Sequence, residues 1–255
     1  MALLKCRPRR RAGFILAVAA GLAAGSTAAA SQCSADSRHW RFDDAGEGRG
    51  FAHVQLQRGA AVPAEDPLHP GNQVARLTAG PKQKGKVGKA DYVHRFQPLQ
   101  AGSVVLMQAR FYFPPGTPLN SLILMDLECA SCGLDTNPGV RLYLRRGMLR
   151  VDRSKIGIKQ AFLPSVPHMM AAGVWHELSW QVTLGAGEQG RSVVRLDGEV
   201  VSDARGTTVL TQEVVSRHMD VAVQEQADRF QVGVTANSNP QTVELLLDDV
   251  RFCQL

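Results

Sequence analysis

From residue 103 onward the chain consists of short segments in which apolar and polar side chains alternate, each ended by glycine, proline or asparagine. In residues 103–113, Val105, Met107, Ala109, Phe111 and Phe113 alternate with Gln108, Arg110 and Tyr112, and Pro114-Pro115-Gly116 stops the run. A period of two turns one face of such a segment to a core and the other to water, the pattern of a half-buried strand. Residues 121–128, 140–146, 148–151, 175–184, 192–196, 199–201, 230–235 and 243–252 read the same way, with turns at Arg146-Gly147 and Asp197-Gly198. Residues 211–227 alone carry helical spacing, through Val215, Met219, Ala222 and Val223. Nearly ten strands joined by short turns predict an all-β, two-sheet antiparallel sandwich in a single domain over 31–255. In the last segment Val243, Leu245 and Leu247 alternate, Asp248 and Asp249 intervene, and Val250 and Phe252 take over, which predicts a bulge at the acidic pair.

Charge says less than it first suggests. The formal charge is +6, but Lys5, Arg7, Arg9, Arg10 and Arg11 supply five of it, with no acid before residue 31. The remaining 225 residues carry 24 basic and 23 acidic side chains, so bulk charge gives no support to a nucleic-acid partner. The N-terminal charges precede eleven apolar residues, 14–24, and Ala28-Ala29-Ala30 before Ser31 forms a small-residue cleavage site. That apolar run falls short of the roughly 20 residues a spanning helix needs. Residues 1–30 are therefore expected to be a cleaved signal peptide. The protein would be exported, periplasmic or extracellular, and not membrane-spanning after cleavage.

Export gives the cysteines an oxidising setting. Cys33, Cys129, Cys132 and Cys253 follow the signal and allow three pairings. Cys33 with Cys253 and Cys129 with Cys132 is the expectation, since many sandwiches set first and last strands side by side. A redox role for the C-x-x-C would need the motif to open a helix, whereas here it follows a strand.

Gly173-Val174-Trp175-His176-Glu177-Leu178, the strand and turn from Val193 through Asp197-Gly198 to Val201, Phe230–Val234 and Leu246–Phe252 occur in an order that resembles the concanavalin A-like jelly roll. That superfamily includes legume-type lectins, laminin-G-like modules, laminarinase-type glucanases and jelly-roll polysaccharide lyases. The resemblance implies a sandwich that binds or cleaves carbohydrate, without choosing between them. The Gln-x-His and Tyr-x-Lys-x-Gly strands of the lyases do not occur. The strand at 230–235 offers only Gln231 and Thr235 as polar groups, and Asp126-Leu127-Glu128 lacks the third acid of the glucanase pattern.

Three sets of candidate site residues follow. Asp126 and Glu128 stand two apart on one strand face, a spacing that suits a pair of catalytic carboxyls; alternatively they form a solvated face with Glu128 paired to Arg141 or Arg145. His94, beside Tyr92 and Arg95, is the histidine best suited to proton transfer if the protein is a lyase. Arg141, Tyr143 and Arg145, with Arg110 and Tyr112, are candidate ligand-binding residues. Residues 141–160 carry a net +6 and residues 82–95 a net +4. On one concave sheet these groups would hold an anionic glycan by arginine–carboxylate contacts and tyrosine stacking. Asp248 and Asp249, with Asp43, Asp44 or Glu47, could bind a structural calcium if the chain ends meet. No histidine spacing suits zinc, and Gly185–Gly190 matches G-x-G-x-x-G between two strands, so it is a turn. The functional expectation is an exported, lectin-like carbohydrate-binding protein, with an acidic polysaccharide as the candidate ligand. The alternatives are a polysaccharide lyase or glycoside hydrolase on the same fold, and an envelope module without a sugar ligand.

Overall fold

A computed structural model describes residues 33–34, 37–43, 50–133, 139–152, 161–162 and 169–255. The signal segment, Asp44, Glu47 and the basic residues Arg153, Lys155 and Lys159 lie outside the described residues. In chain order the strands are β1 Arg38–Trp40, β2 His53–Gln57, β3 Gly59–Glu65, β4 Gln73–Ala79, β5 Gly88–Gln100, β6 Val104–Tyr112 and β7 Leu122–Glu128. There follow β8 Val140–Arg145, β9 Met148–Asp152, β10 Ala161–Phe162, β11 Trp175–Thr183, β12 Arg191–Leu196, β13 Glu199–Arg205, β14 Gln226–Asn237 and β15 Val243–Gln254. The first sheet runs β13-β12-β11-β6-β15-β4-β3, with β1 also paired to β15, and the second runs β10-β9-β8-β7-β14-β5-β2. Each pairing is antiparallel. The chain passes repeatedly from one sheet to the other, so strands adjacent in sequence often face each other across the core. Together the sheets make a jelly-roll sandwich.

The alternating pattern fills the space between the sheets. Val105, Met107, Ala109 and Phe111 of β6 meet Leu178, Trp180 and Val182 of β11, and Leu122, Leu124, Phe230 and Val232 close the core from the second sheet. Trp180 is fully buried, and its indole N–H donates to Ser192 Oγ at 2.9 Å, so the largest core side chain leaves no polar atom orphaned. Arg146-Gly147 and Asp197-Gly198 both adopt positive φ, the geometry of two-residue hairpin turns that match strand twist.

β15 carries the bulge that its sequence phase predicts. Its pairing with β6 shifts register between Asp248 and Arg251, and Asp249 has φ 47°. Before the shift the edge of β15 pairs with β4 and beyond it with β1 (Trp40 opposite Val250, Arg38 opposite Phe252). Cys33 and Cys253, with Cα atoms 5.4 Å apart, are joined there, and Cys129–Cys132 closes a local loop after β7.

Two expectations need correction. The helical spacing over 211–227 yields only α1, Gln212–Ser216, capped by Thr211 Oγ1, which accepts from Val214 N–H at 3.3 Å. From Gln226 the chain instead enters β14, where pairing with β5 and β7 buries Ala227, Phe230 and Val232 and outweighs the local preference. Second, the count of nearly ten strands missed β1 to β5 and β10, which complete both sheets. Among the described residues no helix is long and apolar enough to cross a membrane.

Candidate functional site

The outer face of the second sheet brings together polar and charged side chains from six neighbouring strands, β2, β5, β14, β7, β8 and β9. Along β5, Ala90, Tyr92 and His94 turn to the core, so Lys89, Asp91, Val93 and Arg95 turn outward. Cross-strand register then assembles rows across neighbouring strands. One row runs His53, Val93, Gln231, Asp126, Arg141 and Asp152, from β2 through β5, β14, β7 and β8 to β9. On one side of it lies Gln55–Asp91–Gly233, and on the other Arg95–Arg229–Glu128. His53 is thus the diagonal neighbour of both Asp91 and Arg95.

Most of these groups are tied to one another. Glu128 is ion-paired with Arg229 and accepts from Gln231 Nε2 at 3.4 Å. Arg141, one of the two alternative partners considered for Glu128, bonds Asp152 at 3.0 Å, a carboxylate that β9 sets directly opposite. Asp126 Oδ2 accepts from Thr235 Oγ1 at 2.8 Å. Tyr143, on the same face of β8, has its pKa raised by burial and by the charge of Asp152.

Two groups differ from the rest. Asp91 is fully buried, and neither carboxyl oxygen has a hydrogen-bond partner. Its flanking side chains bond each other, Lys89 Nζ donating to Gln55 Oε1 at 3.2 Å. Burial pushes the Asp91 carboxyl well above the usual range against the pull of Lys89, and Asp126 and Glu128 add to the rise. A buried polar group left without a partner costs about 1–3 kcal/mol, so its presence on this face calls for an explanation. His53 is exposed, and its imidazole is shifted the other way, toward the neutral form, by partial burial and then by the charges of Arg95 and Arg229.

The sequence candidates therefore separate. Asp126, Glu128, Arg141, Tyr143 and Arg145 share this face. Arg110 and Tyr112 do not, since β6 belongs to the first sheet. Arg110 there lies over the Trp175 ring, 4.9 Å from its centroid, and pairs with Asp249 at 3.5 Å, while Tyr112 packs on Trp175. His94 points inward among Trp40, Phe96 and Phe252, and burial followed by the charge of Arg38 lowers its pKa to about 4. His53, Gln55, Asp91, Arg95 and Arg229 were not singled out from the sequence. The alternation Lys89–Phe96 and the His53-x-Gln55 pair are the signals that could have found them.

A second polar cluster lies at the β15 bulge. Arg41, Asp43, His69, Asn72, Arg110, Asp248 and Asp249 line a cavity of about 360 Å³. Asp249 is taken up by His39 at 3.1 Å and by Arg41 and Arg110 at 3.7 and 3.5 Å. Asp248 is buried, accepts from Asn72 Nδ2 at 3.3 Å, and keeps Oδ1 without a partner. Among the described residues no three histidine, cysteine or carboxylate groups are placed together to hold a metal ion. The cavity's lining does include oxygen donors of the kind calcium takes, the carboxylates Asp43, Asp248 and Asp249 and the Asn72 amide. Behind this cavity Asp66, despite burial, is held at a pKa of about 2 by bonds from Trp175, Leu68 N–H, His69 and Asn72.

No family model matches the chain, and no curated protein matches its sequence. Solved structures do match it in shape. An endo-β-1,4-glucuronan lyase from the fungus Trichoderma reesei superposes with a TM-score of 0.62 at 16% identity, over 85% of this chain and 94% of that one. Alginate lyase Aly36B gives 0.55 at 10% identity over 85% and 96%. Alginate lyase vAL-1 from a Chlorella virus gives 0.52 at 11% over 82% and 95%. At such identities the shared property is the fold, a two-sheet antiparallel jelly roll.

Proposed function

We propose that the protein is an exported polysaccharide lyase that acts on a uronate-containing polymer laid across the outer face of the second sheet. The observation that carries this reading is His53, an exposed imidazole biased toward its neutral form on the same face as two guanidiniums, Arg95 and Arg229. β-Elimination from a uronate requires those two functions together. A base removes the proton on the carbon next to the carboxylate, and cations stabilise the negative charge that builds on the carboxylate oxygens. The C–H electron pair becomes a carbon–carbon double bond, the bond to the glycosidic oxygen breaks, and that oxygen takes up a proton. The similarity in fold to lyases of glucuronan and alginate supports the same reading.

The lyase reading is favoured over the lectin-like one because two of the arginines expected to clamp a glycan are unsuited to it: Arg141 is bonded to Asp152, and Arg110 belongs to the other sheet. β8 lies four strand spacings from β2, roughly 19 Å. Tyr143 therefore serves a sugar elsewhere on the chain from the one that meets His53. The test is a panel of polysaccharides. Glucuronan or alginate should gain an ultraviolet-absorbing unsaturated end for each new reducing end, while a neutral glucan should not. Binding of every polymer without new ends would leave the lectin-like role instead.

The same reading includes a structural calcium at the β15 bulge, with Asp248, Asp43 and Asn72 supplying oxygens. The ion would lock the bulge to the N-terminal segment and take no part in elimination. Calcium at a hundredfold excess over its Kd would add about 3 kcal/mol of stability, a Tm rise of roughly 5–10 °C for a chain of this size. Chelator should reverse that rise; a Tm indifferent to both would argue that Arg110 already neutralises the site.

A further inference from the structure

A cavity of about 260 Å³ lies between β5 of the second sheet and β1 and β15 of the first. Strand β2 accompanies β5 only as far as Val93, opposite His53, and the next residues of β5, His94 to Gln97, line the cavity. Its inner wall is aromatic. Phe96 and Phe252 stack with centroids 4.5 Å apart, and the His94 ring stands 5.0 Å from Phe252 at 62°. Arg38, Arg95 and Gln97 are its exposed rim, with Gln254 half-buried beside them. Among the described residues no carboxylate lines it.

His94 is 8% exposed, and among the described residues neither of its ring nitrogens has a hydrogen-bond partner. Its contacts are with other rings, Trp40, Phe96 and Phe252. Unlike the orphaned oxygens of Asp91, these nitrogens are not sealed from solvent, because the imidazole opens on the cavity. Burial and then the charge of Arg38 hold the ring neutral, so one nitrogen donates a hydrogen bond and the other accepts one. A polar ring set among aromatic side chains with its bonds unmade is a group that a ligand can satisfy.

Resting on the lyase reading for the identity of the acid, we propose that this cavity is a second carbohydrate site, which holds one uronate sugar away from His53. Arg95 is common to the two sites. Each part of the ligand has a counterpart in the lining. Two arginines with no competing acid suit the carboxylate. Phe96 and Phe252 suit the C–H face of a pyranose ring. His94 and the amides of Gln97 and Gln254 suit hydroxyls, which donate and accept as these groups do. The cavity is smaller than the roughly 300–1,000 Å³ of clefts for drug-sized ligands, which limits it to about one sugar ring. Such a uronate is either released by cleavage or presented at the end of a chain, and the chemistry of its recognition is the same.

The test follows the His94 imidazole signals by NMR, assigned by their loss in His94→Gln, while D-glucuronate or D-glucose is added. Glucuronate should shift them and saturate with a Kd of about 1 mM, and glucose should bind at least about tenfold more weakly. Arg38→Gln changes an exposed residue outside the elimination machinery. It should weaken glucuronate about tenfold or more, the size of one charge-assisted hydrogen bond, and leave Tm unchanged. A uronate trimer separates the two sources: a His94 shift with the trimer means that a chain end enters, and a shift with the monosaccharide alone means that the site takes released sugar. No shift with glucuronate, equal affinity for glucose, or an Arg38→Gln variant that binds glucuronate as wild type does would each overturn the proposal. Glucuronate binding by a protein that cleaves no polyuronate would overturn the lyase reading and leave this site standing.

Discussion

Replacing His53 with alanine is expected to lower polyuronate turnover by about 10²–10⁴-fold, the range for loss of a general base. The fold should hardly notice. His53 is exposed on edge strand β2 and is not part of the core, so stability should change by no more than about 0.5 kcal/mol. The pH dependence adds a second reading of the same residue. A base works when deprotonated, and burial with Arg95 and Arg229 lowers the His53 pKa. The acid limb of kcat/KM should therefore lie below the ordinary imidazole range and disappear in the variant. Neutralising Arg95 should move that limb upward, since one of the charges that depress the pKa is gone. A His53→Ala enzyme with full activity would exclude this imidazole as the base.

The second large effect concerns stability. Cys33–Cys253 closes a loop with a sequence separation of 220 and ties the short β1 segment to the final strand. In the chain-entropy model a loop of that size corresponds to about 5 kcal/mol, and removal of native disulfides typically costs about 2–5 kcal/mol. Cys33→Ser with Cys253→Ser should accordingly lower Tm by roughly 4–20 °C. Cys129–Cys132, with a separation of 3, restrains far less of the unfolded chain. Its loop is also held by Asp228, which accepts from Ala130 N–H, Ser131 N–H and Ser131 Oγ. Loss of the local bridge should therefore be milder. Equal effects from the two bridges would contradict the loop-entropy argument.

The sandwich was legible where strands alternate cleanly. The β6 and β11 patterns, the two hairpin turns and the phase break at Asp248-Asp249 each follow from local geometry, and each recurs in the structure. The site was legible only in part, for two physical reasons. First, charge hid a strand: Lys82 to Arg95 reads as a basic stretch, yet in β5 Lys89, Asp91 and Arg95 are one face and Ala90, Tyr92 and His94 the other. Second, pairing depends on topology. Glu128 meets Arg229, 101 positions away, because β7 and β14 are neighbours, a partnership that no local spacing encodes. The same cause removes Arg110 and Tyr112 from the site, since β6 lies in the other sheet. Asp91 illustrates the limit most sharply: as one letter between Lys89 and Arg95 it looks like a solvated acid, and only the fold shows it buried, with its carboxyl pushed toward the protonated form.

The most direct test of the central claim is the product mass after digestion of glucuronan or alginate in ¹⁸O-labelled water. Elimination adds no water across the broken bond, so each cleavage should yield an unsaturated fragment one water lighter than its hydrolytic counterpart, without label introduced by the cleavage. Saturated fragments carrying one ¹⁸O per cut would make the protein a hydrolase, and intact polymer would leave it a binding protein; either result contradicts the lyase account.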